Sequence, residues 1–463
     1  MGTISDKLMR VINTKEDIRK ALISKGYDVP ASIPFKEYAK MILDLPCKID
    51  DFPELPGDVT RWHFGGLTNE MMAAMDDPRI EDADHKGRFL SFKNFAWKEG
   101  SGISDVYPGA LVFDGVDDYG VCDNFPILTK EKGYTVVALR QWDQDFLNTT
   151  LTGGLLSTRN YSTGEGVAFE KIESSNKGYW NLGAGGFIDF AKSPFTWQTS
   201  KQYNNVGILK GGKNHGKPLC VGCGLSGGQQ CGRFAIWELV ILDHDATEEE
   251  LTKIKNYFVK TYPWLFPDQA WTVVGKTNED EDRATIANIT GNGNDLVLSN
   301  FGFAEGSGYN KEGEYAGYLV TDGVDDKITS SIFEMGNDWT VIGDWELINT
   351  GKKDNAGIVK FDSIVIYNYN PILINIKNGR NNLIPDQNTV NAICSDGRIY
   401  SKDWKESIYN EETESTSKNF LTIGYSGNAY TKIAFKNLAI YPTVLSREDC
   451  IKAYNYLQTL KAK

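Results

Sequence analysis

The sequence predicts a mainly β protein: two tandem jelly-roll sandwiches preceded by a small α-helical N-terminal module. Three observations predict it. First, one stretch occurs twice. Residues 111–119 read Leu-Val-Phe-Asp-Gly-Val-Asp-Asp-Tyr and residues 319–327 read Leu-Val-Thr-Asp-Gly-Val-Asp-Asp-Lys. An apolar run broken by Asp-Gly is what a strand shows when it stops at a tight turn and resumes. Two copies in matching company make an internal repeat. Second, short apolar or alternating runs, such as those at 364–367 and 372–376, are separated by Gly, Asn, Asp and Ser, the spacing of a two-sheet sandwich. Third, 12% aromatics and 46 glycines favour strands and turns over long helices.

Taken in order, residues 1–50 read as short helices. Ile4, Leu8 and Val11 share one face of a first; Thr14 can cap a second, with Asp17 three residues on; Ser32 can cap a third, with Phe35, Ala39 and Ile42 as its stripe. So small a module buries little surface alone and is expected to dock on something else or on copies of itself. Residues 51–58, with Pro53, Pro56 and Gly57, are a linker. The first repeat then spans 59–262 and the second 270–463, with a linker at 263–269 marked by Pro263 and Pro267. Gly66-Leu-Thr-Asn-Glu70 matches Gly275-Lys-Thr-Asn-Glu279, and the text at 94–102 matches that at 300–308. Each repeat closes with a strand, a short break and a capped helix: Leu239–Leu242 with Thr247 and Glu250, then Leu438–Tyr441 with Ser446 and Asp449.

A chain of 463 residues is expected to hold two or three domains. Its net charge is −13; residues 1–50 carry nine basic and seven acidic side chains, so the remainder stands at −15. An acidic body repels phosphate backbones and argues against nucleic-acid binding. No run reaches membrane-span length, and the first residues lack an apolar stretch of signal-peptide size. Seven cysteines, an odd number that does not recur between the repeats, argue against a disulfide framework. A protein made in a reducing cytoplasm is the expectation.

The order of these features resembles the concanavalin A-like lectin/glucanase superfamily, in particular its laminin-G-like branch, which carries a strand like Phe-Asp-Gly-x-Asp-Asp near its start and closes with a strand and a short acid-rich helix. Phe113–Asp118 and Asp322–Asp326 match, Thr321 standing where the family has an aromatic. The whole layout is also similar to virion proteins of tailed phages, especially those infecting gut Bacteroidales; Ile4-Ser-Asp-Lys-Leu8, Thr14–Arg19 and Pro34-Phe-x-x-Tyr38-Ala carry that likeness. The resemblance implies a virion fibre or decoration protein, assembled in the host cytoplasm. Residues 1–50 would be anchored to other virion proteins, with lectin-like domains projecting outward to meet surface or mucosal glycan or to pack between subunits. A homo-oligomer is expected, a trimer being usual for fibres, although no long heptad run enforces one.

The candidate chemistries follow from residue types. A glycosidase needs two facing carboxylates; the superfamily's glucanases carry Glu-x-Asp-x-Glu on one strand, and that run does not occur, so the expectation is no enzyme. The second repeat has no histidine, which excludes His from any shared chemistry. Cys220, Cys223 and Cys231 with His215 invite a zinc reading, but residues three apart on a regular strand face opposite sides, so a shared metal needs a bend that Gly222 or Gly224 could supply. The plain alternative is that they are small hydrophobes. Gly211–Pro218 has phosphate-loop spacing, with Pro218 where Ser or Thr is required, and reads as a hairpin loop. Asp114, Asp117 and Asp118, with Asp322, Asp325 and Asp326, could offer oxygen ligands to calcium, as in many relatives, or could brace a turn; no cofactor is required. Glycan binding needs aromatic faces beside amides and carboxylates: Tyr179, Trp180, Phe195 and Trp197, near Asn176 and Asn181, in the first repeat; Trp404 and Tyr409 in the second. The alternatives to a virion appendage are a secreted carbohydrate-binding protein and a capsular polysaccharide depolymerase.

Overall fold

In the computed structural model of this chain the described residues are 14–16, 18–19, 51–126, 133–147, 149–158, 168–172, 177–180, 187–189, 206–209, 218–225, 228–348, 357–361, 364–367, 372–376, 380–384, 390–408, 421–426 and 429–462. The chain divides into two units, Met1–Glu54 and Leu55–Lys463. Of the first, residues 14–16 and 18–19 are helical, with Arg19 3.0 Å from Glu16 one turn back; the rest of the helices expected over residues 1–50 lie outside the described residues.

The second unit is mainly β and contains four large sheets in two pairs, each pair enclosing its own apolar core. The labelled elements are β1 (Leu111–Asp114), β2 (Tyr119–Cys122), β3 (Tyr134–Trp142), β4 (Arg233–Leu242), α1 (Glu248–Thr261), β5 (Leu319–Val320), β6 (Lys327–Ser330), β7 (Thr340–Leu347), β8 (Val390–Cys394), β9 (Ile433–Tyr441) and α2 (Arg447–Leu457). In the first sandwich β4 is the long central strand. It pairs with β3 along one side. On the other side β1 takes Arg233–Ile236 and the opening strand Val59–His63 takes Glu238–Leu242. The changeover falls at Trp237, where the register slips by one residue, a β-bulge. The second sandwich repeats the plan: β9 pairs with β7, β5 meets Ala434 and Phe435, Gln269–Thr272 meets Asn437–Ile440, and Lys436 is the bulged residue.

Period-two alternation places the cores. Tyr134, Val136, Ala138 and Trp142 of β3 point into the first, and Val341, Trp345 and Leu347 of β7 into the second. The outer faces are covered as well, which is why β3 and β4 read as almost unbroken apolar runs and are buried along nearly their whole length. Helix α1 begins with the expected capping box of Thr247 and Glu250; α2 is capped by Ser446, whose hydroxyl accepts from the Asp449 N–H. Trp237 meets Tyr456 of α2 edge-on at 5.8 Å, and Lys461 pairs with Asp145 at 2.6 Å, so the outer face of the first sandwich adjoins the closing helix of the second.

The strand that stops at each Asp-Gly turn resumes in another sheet: β1 and β2 belong to different sheets, as do β5 and β6, so each turn carries the chain across the sandwich. Local text is the same in both cases; the choice is made by the core, where Leu111 and Phe113 are buried. The turn itself needs Gly115 and Gly323, at φ +77° and +75°. The argument against a disulfide framework did not foresee one disulfide, which joins Cys223 and Cys231.

Candidate functional site

Each of the duplicated acid turns gathers its own carboxylates. In each, three carboxylates offer oxygens within 4.8 Å of one another: Asp114, Asp117 and Asp118, and again Asp322, Asp325 and Asp326. Most of that oxygen surface braces the turn. Asp114 Oδ1 accepts from the Val116 N–H at 2.7 Å; Asp118 accepts from the Asp114 N–H at 3.0 Å and from the Ser101 hydroxyl at 3.1 Å. Asp322 and Asp326 repeat the pattern at 2.7 and 2.8 Å. Asn94 and Asn300 each tie a neighbouring loop to the turn, donating to the carbonyls of Asp117 and Asp325 at 3.0 Å. Burial pushes the Asp118 carboxyl up to about 7; its hydrogen bonds to Ser101 and Asp114 oppose this, and the charges of Asp114 and Asp117 add to it. Three carboxylates are about half a calcium shell of six to eight oxygens, so these residues could hold such an ion only with further ligands.

Among the described residues the cysteines form a disulfide and no group of metal-ligand atoms. The strand does bend at Gly222, φ +94°, where an added Cβ would run into the Phe113 ring. The bend turns Cys223 toward Cys231 across a two-stranded hairpin, and the two form a disulfide that leaves Cys220 buried beside it. His215 lies outside the described residues. The shared polar centre of the first sandwich is elsewhere, under α1. There Glu238 accepts from Arg61 at 2.6 Å and from Tyr262 at 2.7 Å, and Arg61 also donates to Tyr257 at 3.0 Å. Burial, with the Glu238 charge, raises the Tyr257 and Tyr262 hydroxyls above their ordinary range. This group fastens the helix to the sheet, since Glu238 and Arg61 are both wholly buried.

Of the glycan-contact candidates, Tyr179 and Trp180 lie on the strand Lys177–Trp180, opposite Glu170 and Phe169. Phe195, Trp197, Asn176, Asn181 and Tyr409 lie outside the described residues. Trp404 sits in the turn between Arg398–Ser401 and Glu406–Ile408 with φ +57°. Its N–H donates to Ser401 and its carbonyl accepts from Arg447 of α2. The indole meets the ring of Tyr454 edge-on at 5.6 Å. Burial, with the charge of Asp344 beside it, raises the Tyr454 hydroxyl above its ordinary range; Tyr318 donates to Asp344 at 3.1 Å and meets Tyr315 edge-on. Lys436, the bulged residue, lies 3.9 Å from Asp344.

The result is an aromatic ledge with a carboxylate at its centre, on the outer face of the second sandwich. Sequence reasoning found Trp404 and missed Asp344, Tyr318 and Tyr454. The signal was present in Asp344, an acid in the middle of the otherwise apolar run Thr-Val-Ile-Gly-Asp-Trp-Glu-Leu. The same strand supplies a carboxylate pair that the sequence reading did not find. Asp344 and Glu346, two apart, share a face at about 7 Å between Cα atoms. Asp344 is 9% exposed and accepts from the Tyr318 hydroxyl, while Glu346 is half-buried with Lys402 at 3.9 Å.

No protein-family model matches the chain, and no curated protein does either. Among solved structures it is similar to the sialidase of Trypanosoma rangeli in complex with sialic acid, at 9% identity over 82% of this chain and 68% of that one, TM-score 0.31. It is also similar to the botulinum neurotoxin serotype D binding domain, at 10% identity over 86% of this chain and 98% of that one, TM-score 0.34. The type G receptor-binding domain overlaps less, at 12% identity over 41% of this chain and 50% of that one, TM-score 0.26. Overlaps of this size assign neither a family nor an activity.

Proposed function

We propose that this chain is a non-enzymatic glycan-binding appendage protein of a phage particle. Residues 1–50 dock it to other virion proteins, and the unit from 55 onward presents two laminin-G-like sandwiches. The ligand half of this reading is carried by the Trp404–Tyr454–Asp344 ledge. It sets an aromatic edge beside a carboxylate and two tyrosine hydroxyls, which suits a sugar with one apolar face and a rim of hydroxyls. The virion half is supported by the likeness of the N-terminal text to phage appendage proteins.

The test has two arms. Binding of the full-length protein to a glycan panel is measured beside Trp404→Ala; binding that survives the substitution unchanged overturns the ledge as the site. Purified particles of the phage encoding the chain are digested and their peptides identified by mass; absence of this chain from the particles overturns the virion assignment. A second reading, a depolymerase, is favoured only by the Asp344–Glu346 pair. Release of reducing ends from polysaccharide by the native protein, lost in Glu346→Gln, would replace the non-enzymatic reading.

A further inference from the structure

Beside the ledge an amine, an amide and a carboxylate from three elements converge. Lys436 is the bulged residue of β9, Gln458 is the residue that closes α2, and Asp344 lies on β7. Lys436 Nζ donates to Gln458 Oε1 at 2.9 Å, which leaves the amine one bond short of the amide carbon. Asp344 lies 3.9 Å from the same Nζ and is itself held by the Tyr318 hydroxyl at 3.1 Å. Gln458 Nε2 is buried and has no hydrogen-bond partner among the described residues. The Gln458 backbone N–H donates to the Asn455 carbonyl at 3.1 Å, so the amide is presented from a fixed helix end.

The first sandwich holds none of the three. Its bulged residue is Trp237. Leu139 stands opposite Glu238 as Asp344 stands opposite Asn437. Val259 follows the Asn-Tyr pair of α1 at the distance at which Gln458 follows that of α2. An apolar trio in one sandwich is thus an amine, an amide and an acid in the other, with all three members changed together. A lysine that only neutralised Asp344 would need no amide, and one that only bonded an amide would need no acid.

We propose that Lys436 and Gln458 join in an intramolecular isopeptide bond, with Asp344 carrying the protons. Asp344 accepts a proton from the Lys436 ammonium, and the freed amine attacks the side-chain carbon of Gln458. Asp344 hands that proton to Nε2, then takes a second from the attacking nitrogen and passes it on in the same way. The Nζ–carbon bond forms, the carbon–Nε2 bond breaks, and Nε2 leaves as ammonium. Asp344 ends as the carboxylate it began as, and no oxidant or reductant enters. The fold supplies the proximity that makes an unactivated amide react. The bond closes a loop between residues 22 positions apart and ties the end of α2 to β9. Tyr454 lies four residues before Gln458, so the crosslink also fixes the helix that supports the ledge. None of this depends on the ledge binding glycan.

The full-length protein is held folded at neutral pH, sampled over days, unfolded, and weighed by mass spectrometry before and after digestion with trypsin. The intact chain should become lighter by one ammonia. The peptide containing Lys436, uncut at that residue, should be joined to the one containing Gln458. A chain that stays at full mass overturns the proposal. So does a lighter chain whose digest returns Lys436 and Gln458 in separate peptides. Asp344→Asn keeps the shape of the side chain and should stay at full mass while its thermal melt shows it folded; crosslinking at the wild-type rate in that variant overturns the part given to the carboxylate. Lys436→Arg keeps the charge and the contact with Gln458 and should stay at full mass as well.

Discussion

Tyr456 of α2 donates its hydroxyl proton to the side-chain carbonyl of Gln141 on β3, at 3.0 Å, joining residues 315 positions apart. The same ring lies edge-on to Trp237, the bulged residue of β4. Both groups are buried, so this contact is a shared core between the sandwiches and not a surface touch. Removing the hydroxyl leaves Gln141 with an unmet acceptor, at a cost of about 1–3 kcal/mol. Tyr456→Phe should therefore lower stability by that amount. Tyr456→Ala, which also empties the space beside Trp237, should split one calorimetric unfolding transition into two. A single transition in Tyr456→Ala would show that the sandwiches are coupled by other means.

Trp404→Ala should weaken glycan binding roughly tenfold, the effect of a contact worth about 1.4 kcal/mol, while leaving the unfolding temperature nearly unchanged because the residue lies in a surface turn. Calorimetric titration against the best glycan of the panel measures the first, and a thermal melt the second.

The acid turns should behave as structure. Asp114→Ala and Asp322→Ala each remove a side chain that caps its own turn, and each should cost about 1–2 kcal/mol, the size of other lost backbone caps. The loss should be the same with calcium or with a chelator. A wild-type melting temperature that rises with calcium and stops rising in the variants would instead show an ion at these carboxylates.

A pH dependence is built into the start of α1. His244 lies 2.8 Å from Glu250 and 3.3 Å from Asp243. Burial pulls its pKa down, but hydrogen bonds to both acids outweigh this and leave it raised. Its contribution to stability is complete below about pH 6.5 and is lost as pH rises through the raised value. Burial raises Glu250, yet the Thr247 N–H and His244 leave it lowered; its contribution is complete above about pH 4.5 and is lost as pH falls through the lowered value. Stability should therefore be greatest between about pH 4.5 and 6.5, and His244→Gln should remove the alkaline fall. Denaturant midpoints measured across pH check this.

What could be read from the sequence was whatever local pattern decides. The capping box of Thr247 and Glu250 and the runs inside β4 and β9 were legible because helix caps and buried strands carry their own signals. The role of the Asp-Gly turn was not, since hairpin and cross-sandwich turns share one local text and only the burial of Phe113 separates them. The disulfide was missed because parity and recurrence between repeats were the criteria, while the matching positions hold Tyr425 and Tyr430. Of the ledge, Trp404 was visible and its companions were not: Tyr318, Asp344 and Tyr454 come from three elements that only the folded sheet brings side by side.

The pairing of each sandwich's opening strand with its closing strand has a mechanical consequence. Val59 lies opposite Leu242, and Gln269 opposite Ile440, so the chain enters and leaves each sandwich at the same end of one strand pair. Tension between those two points loads the outermost rung alone, and the rungs open in succession instead of shearing together. Arg61, Glu238 and Tyr257 clamp α1 over that seam in the first sandwich. A pulled molecule should thus give way gradually, lengthening under load before either core is breached.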